Sequence, residues 1–294
     1  SVALPNADGL AGANLTASTG QVRGAFATVN DQSVANVTTA SVDAEATVSA
    51  ISLTTGATGS AGSSALTNEL NSLTARAQGA VTTNTTNLSI GGTLSGTSTT
   101  TGSIANGAVV ANVQSIAAGA NVSADVDGGT ADMIATSVGG ALTASSLSTS
   151  ANRIQAFADG AAATNNLAVS ATTISAAANA TAEPSVGTTA AQAASTADTA
   201  FAVANAQISG AATVSANVDQ PAVVSSTVTG ATSDSNVSVN SNVIDAFAVS
   251  NKSTNGVSLA GTTVATDAGV LNVQSSDAQV SSTIGSSAAA TGLD

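Results

Sequence analysis

Cysteine, histidine, tryptophan and tyrosine are all absent from this 294-residue chain, and phenylalanine occurs four times. Each absence removes a class of chemistry. Without cysteine there is no disulfide framework and no thiol nucleophile. Without cysteine and histidine there is no ordinary zinc, copper or haem site, and no Ser-His-Asp triad can be assembled. Cations are almost as scarce: four Lys and Arg stand against seventeen Asp and Glu, a net charge of −13. Four cations and four aromatic rings supply neither the electrostatic footprint nor the stacking platforms of a nucleic-acid binder. No apolar run reaches the length of a membrane span.

What remains is a chain of small residues. It holds 65 Ala and 27 Gly, with Ser, Thr, Val and Asn making up much of the rest. The hydrophobic fraction is 43% and the mean hydropathy is +0.31, which is not the low-hydrophobicity, high-charge composition of disordered chains. Much of that hydrophobicity is Ala, so a thin core between closely spaced backbones suits the composition better than a thick globular one. Acidity, few Lys and abundant Ser, Thr and Asn suggest an exported protein.

Internal repetition is the informative feature. The segment from Asn152 to Ile174 aligns without a gap on Asn242 to Val264, at an offset of 90 residues; Ile154, Ala156, Phe157, Ala158, Asn165, Thr172 and Thr173 all meet like residues. A partial copy begins at Asn71. Between copies, Val122-Ser-Ala-Asp-Val-Asp127 resembles Val214-Ser-Ala-Asn-Val-Asp219. All four Phe lie in Ala-Phe-Ala, at Phe26, Phe157, Phe201 and Phe247. Taking these as equivalent anchors, with Arg76 standing in the same context, gives an imperfect unit of about 40–50 residues.

Within the unit the apolar period is two, the signature of strands. Ile154, Ala156 and Ala158 fall on one side; Arg153, Gln155, Phe157 and Asp159 on the other. The inward set is expected to include Ile154, Leu167, Val169, Ile244, Val257 and Leu259. Short stacked strands with small inward residues indicate an all-β chain, a β-solenoid of 40–50-residue units, with Asn at equivalent turns forming ladders. Tandem β-sandwich domains are the alternative. The expected division is an N-terminal assembly segment over 1–20, a β-repeat domain over 21–280 and a C-terminal tail over 281–294.

Asn, alternating small and aliphatic residues, Gly or Asn, then Asn-x-Leu resembles the repeat-rich surface proteins of bacteria, most closely curlin-like and holdfast-anchoring repeat proteins. The resemblance rests on Asn152–Ile174, Asn242–Val264 and the partial copies at Asn71 and Phe201. It implies an extracellular structural or adhesive protein without catalysis.

Two groups of residues stand out chemically. Asp125-Val-Asp127-Gly-Gly-Thr-Ala-Asp132 offers three carboxylates around a Gly turn, which could supply oxygen ligands to Ca²⁺; an acidic turn is the plainer reading. No other cofactor is implied. Phe157, Phe201 and Phe247 are expected in one exposed row about 9.6 Å apart, if each unit is two coils, forming a contact line for self-association. The expected function is a secreted, non-catalytic protein that self-associates into a cell-surface filament, matrix or anchor, partnered by copies of itself and by surface proteins or polysaccharide. A surface-layer, phage or pilus fibre subunit built from β-sandwich modules is the alternative.

Overall fold

The structure is a computed structural model that describes residues 2–4, 7–8, 13–17, 20–24, 26–43, 49–54, 60–96, 108–127, 134–176, 185–186, 195–196, 200–219, 224–285 and 289–291. The described residues form strands and turns, with no helix among them. Strands from successive passes of the chain lie side by side and parallel, in stacked sheets. Antiparallel pairing among the described residues is confined to Ala13–Ala17 with Gly20–Gly24 and Ser185–Val186 with Ser195–Thr196. This is the parallel arrangement of a solenoid-like winding, not the antiparallel Greek keys of a β-sandwich.

Each pass visits the same sheets in the same order. A long sheet is built from Ser72–Ile90, Arg153–Ser170 and Val243–Ala260, with Val2–Leu4 beside the end of the first. Next comes an opposing sheet of Phe26–Val34, Ala108–Ile116, Phe201–Ser209 and Ala268–Ser276. A side sheet of Val37–Asp43, Asn121–Asp127, Thr213–Val218 and Gln279–Ile284 follows. Shorter strands such as Ile134–Gly139 and Ser146–Ser150 close the circuit before the next long strand. The strand Gln279–Ile284 runs across the boundary expected between repeat and tail.

The repeat is one full winding, not 40–50 residues. Asn84 meets Asn165 after 81 residues and Asn165 meets Asn255 after 90; in the opposing sheet the steps are 82, 93 and 67. A spacing of 40–50 residues is the half-winding that separates the long sheet from the opposing one. The gap-free offset between Asn152–Ile174 and Asn242–Val264 is the pairing register itself: Ile154 beside Ile244, Phe157 beside Phe247, Leu167 beside Val257.

The core lies between the long sheet and the two sheets that face it. Leu73, Ile154, Ala156 and Ala158 pack on Val122, Ala124, Val126 and Val214 of the side sheet. Leu88, Leu167 and Val169 pack on Val110, Phe201 and Val203 of the opposing sheet. Ile154, Leu167 and Val169 are buried, and Ile244, Val257 and Leu259 of the fourth winding pack against the same clusters half-buried, so the inside-outside assignment from the two-residue period holds. Ala-rich rows let the sheets approach closely, and each fully buried Ile or Leu contributes about 1.5–3 kcal/mol. The opposing sheet is buried on both faces: Val109, Ala111, Val113, Ala204 and Ala206 form clusters on its far side, where Gly20–Gly24 packs against Ala108–Ile116. A parallel strand covered on both sides reads as a continuous apolar run, as Ala108-Val-Val-Ala111 does.

The long strands could not serve two facing sheets without changing parity. Before Gly160 the inward residues are even-numbered (154, 156, 158); after it they are odd (161, 163, 165, 167, 169). The switch falls at Gly79, Gly160 and Ser250, where the ladder register skips a pair. It sits opposite the corner between Ile116 and Val122, where the opposing sheet hands over to the side sheet.

Two corners recur in left-handed backbone conformation. Ser63, Ala144 and Asp234 have φ of 51, 48 and 48°, and Leu70, Ala151 and Ser241 have φ of 61, 54 and 54°. Residues with a Cβ meet a steric penalty there, about 1–2 kcal/mol each. Leu70 is 80% exposed and loses no packing on truncation. Replacing Leu70 with Gly is therefore expected to raise the unfolding free energy by about 1 kcal/mol, read from urea denaturation; a lower stability would show that the corner carries no strain.

Candidate functional site

The most organised polar feature is a set of amide ladders inside the winding. In the opposing sheet Asn30 Nδ2 donates to Asn112 Oδ1, Asn112 Nδ2 to Asn205 Oδ1 and Asn205 Nδ2 to Asn272 Oδ1, each at 2.7 Å. In the long sheet Asn84 Nδ2 donates to Asn165 Oδ1 at 2.7 Å and Asn165 Nδ2 to Asn255 Oδ1 at 2.8 Å. The two ladders face each other and interlock: Asn165 Nδ2 also donates to Asn205 Oδ1 at 3.1 Å, and Asn84 Nδ2 to Asn112 Oδ1 at 3.3 Å. Asn112, Asn165 and Asn205 are fully buried.

Two residues on, a Gln ladder runs with the opposite polarity. Gln274 Nε2 donates to Gln207 Oε1, Gln207 Nε2 to Gln114 Oε1, and Gln114 Nε2 to Gln32 Oε1. The same Gln side chains donate across the core to carbonyls just past the parity switch: Gln32 to Val81, Gln114 to Ala162 and Gln207 to Lys252, at 3.4, 3.1 and 2.8 Å. The kink interrupts the strand ladder, and these amides take up carbonyl oxygens there. Buried amides left unsatisfied cost about 1–3 kcal/mol each; here Asn121 Oδ1 is the one buried side-chain polar atom without a partner among the described residues. A fourth ladder follows the turn into the long strand, Asn71 Nδ2 to Asn152 Oδ1 and Asn152 Nδ2 to Asn242 Oδ1 at 2.9 and 3.0 Å, as the recurring turn Asn suggested.

The Asn and Gln ladders of the opposing sheet were visible in sequence as a short motif that the Phe anchors obscured. Asn-x-Gln occurs at Asn30-Asp-Gln32, Asn112-Val-Gln114, Asn205-Ala-Gln207 and Asn272-Val-Gln274, once per winding.

The Phe row does not form. Phe157 and Phe247 are neighbours across one strand pair of the long sheet, outward-facing, with Arg76 completing the column; Phe247 is 49% exposed. Phe201 lies in the opposing sheet and is fully buried against the long sheet's Leu and Val residues. Half a winding separates Phe157 from Phe201, and the strand there presents Phe on the inward parity. The outward-facing Phe residues of the expected row are therefore Phe157 and Phe247.

Beside them, Asp159 is buried and held from the windings on either side, by Arg76 at 3.0 Å and Lys252 at 3.4 Å. Asp125 accepts from Ser123 Oγ at 2.8 Å and from Asn217 Nδ2 at 2.7 Å on the outer face of the side sheet. Asp127 is exposed and stands in register with Asp43. Asp132 lies outside the described residues. Among the described residues no three Asp, Glu, His or Cys gather as a metal-ligand group.

No known protein family, curated protein or solved structure matches the chain.

Proposed function

We propose that this protein is a secreted, non-catalytic structural or adhesive β-solenoid, its unit one winding, that self-associates into a cell-surface filament, matrix or anchor. The observation that carries the reading is the exposure of the core columns at the fourth winding. Val270, Val280 and Ile284 are 51, 46 and 47% exposed, whereas Val203, Val214 and Val218 directly beneath them are fully buried. Large apolar side chains in a continuous row beside unpaired strand edges favour association. The ladders support the same reading, because stacked identical amides stabilise assemblies that grow by parallel strand addition. The partners in this reading are further copies of the chain, with surface proteins or polysaccharide as what an anchor would hold, and the location is extracellular.

Sedimentation velocity across a hundredfold concentration range, with electron microscopy and fibre diffraction of the assembled material, tests it. Filaments with a meridional reflection near 4.8 Å are expected. A planar lattice would favour a surface-layer subunit, and a monomer at every concentration would end the self-association reading.

A further inference from the structure

The amide ladders have a direction, and it is the same in every winding. In the Asn column each amide donates toward the fourth winding; in the Gln column each donates toward the first. The two ends of the opposing sheet are consequently unlike. At the fourth winding Asn272 presents its Nδ2 donor and Gln274 its Oε1 acceptor. At the first winding Asn30 presents its Oδ1 acceptor, and Gln32 Nε2 donates only to Val81 O, at 3.4 Å, among the described residues. One end carries the donor and acceptor that the other end lacks, in the same two columns and on the same face.

Resting on the self-association reading above, we propose that the occupant of the fourth winding's open edge is the first winding of a second copy, joined head to tail. Ala268–Ser276 and Gln279–Ile284 would pair in parallel with the second copy's Phe26–Val34 and Val37–Asp43. Both segments end their sheets, with no strand beyond them among the described residues. Asn272 then donates to the second copy's Asn30 and accepts nothing new, while Gln274 accepts from its Gln32. Val270 meets Thr28, Val280 meets Thr38 and Ile284 meets Val42, each continuing a column already formed three times within one chain. The same translation sets Ala289–Thr291 beside the second copy's Ser49–Thr54 at the ends of the next sheet, whereas the long sheet takes little part, because Val2–Leu4 covers only Leu88–Ile90 of the first long strand and the first winding offers no other partner of that length. A two-fold, head-to-head contact would run the strands antiparallel and bring one sheet at most into register. A repeated translation brings both, and it generates a polar filament.

The chain's lack of cysteine makes a clean test. Thr39 and Ser281 are exposed and belong to one outward column, Thr39, Ser123, Ser215, Ser281. Within one copy they are three strand spacings apart, about 14 Å, too far for a disulfide. Across the proposed join they are adjacent, about 4.8 Å apart. Mild oxidation of the assembled Thr39→Cys/Ser281→Cys variant should give a disulfide-linked ladder on a denaturing gel, and neither single variant should give linked dimers. Val280→Lys, placed in the join but exposed in the monomer, should raise the concentration needed for assembly at least tenfold and leave the melting temperature unchanged. Dimers from Ser281→Cys alone would mean a head-to-head contact. Filaments that form without any ladder would mean a lateral one. Either result overturns the head-to-tail join and leaves self-association standing, whereas failure of the unaltered chain to assemble removes both.

Discussion

Replacing Asn205 with Leu should destabilise the winding by about 3–5 kcal/mol although the side chains are similar in volume. Asn205 is fully buried at the crossing of the two Asn ladders. Its Oδ1 accepts from Asn112 and Asn165, and its Nδ2 donates to Asn272. Leu supplies none of these, and the buried donor of Asn112 is left facing hydrocarbon, whereas exposed Asn272 Oδ1 keeps its hydrogen bond from Ser253 Oγ. Asn165 suffers less, since its amide also reaches Asn255. The measurement is urea denaturation, with a double-mutant cycle against Asn112→Leu: because removing both partners of a buried pair costs less than removing one, the double variant should lose clearly less than the sum of the singles. Asn205→Asp separates geometry from charge. A carboxylate keeps the two accepted hydrogen bonds but sets an unpaired charge against Asn272 Oδ1. It should be more destabilising than Leu at neutral pH. Its buried, unpaired charge raises its folded pKa above the unfolded value, so the loss should shrink as pH falls through that raised value and the protonated group donates to Asn272. A variant as stable as the parent would show that the ladder is not part of the stabilising core.

The extent to which the sequence foretold this arrangement differs from feature to feature, for physical reasons. Pairing between Asn152–Ile174 and Asn242–Val264 was legible because in a parallel stack identical residues sit side by side, so a gap-free sequence offset is also a strand register. The same held for Val122–Asp127 on Val214 and its successors. Inward residues of the long strands were legible because the strand period is two and their apolar inward positions are Ala, Val, Ile and Leu. The winding length was not. Ala-Phe-Ala occurs on two different sheets, outward at Phe157 and inward at Phe201, and equating them halves the repeat. Side-chain identity carries no mark of which sheet a strand joins when both sheets are built from small residues. Asn-x-Gln does carry that mark, because only the strand facing the long sheet needs a buried amide pair, one to bond its counterpart and one to reach the carbonyls at the kink. Its steps of 82, 93 and 67 residues are uneven because the connections between sheets vary in length, which hides it from a search for a fixed period. The site residues fared likewise: Phe157 and Phe247 face outward as expected, but as direct neighbours in one column and not as members of a wider-spaced row, whereas nothing in the composition distinguished the buried Phe201.

The kink that lets one long strand serve two sheets sets up the second large effect. Replacing Gly160 with Ala should destabilise the protein by about 3 kcal/mol, at the upper end of overpacking costs. A Cβ built there lies 2.5 Å from the carbonyl oxygen of Ser250 and 2.8 Å from Ile116 Cδ1. The Ile side chain has other rotamers, but the carbonyl belongs to the neighbouring long strand and moves only if the strand does. Relief would therefore separate Arg153–Ser170 from Val243–Ala260 at the point where Gln207 Nε2 holds the Lys252 carbonyl at 2.8 Å. The strand would shift the parity of everything beyond it, and Leu167 and Val169 would lose their place against Phe201 and Val203. Gly79 faces the carbonyl of Gly160 at the same 2.5 Å and should behave alike. Gly256, in the same sheet but on the outward face, is the control: an added Cβ there meets only the end of the Asn166 side chain, at 3.0 Å, so Gly256→Ala should change stability by less than about 1 kcal/mol. Thermal and urea melts of the three variants decide the point. Equal, small losses at all three positions would mean that the parity switch does not require glycine even where a further long strand lies beside it, and that the two-sheet core tolerates a looser corner than the close approach at Gly160 implies.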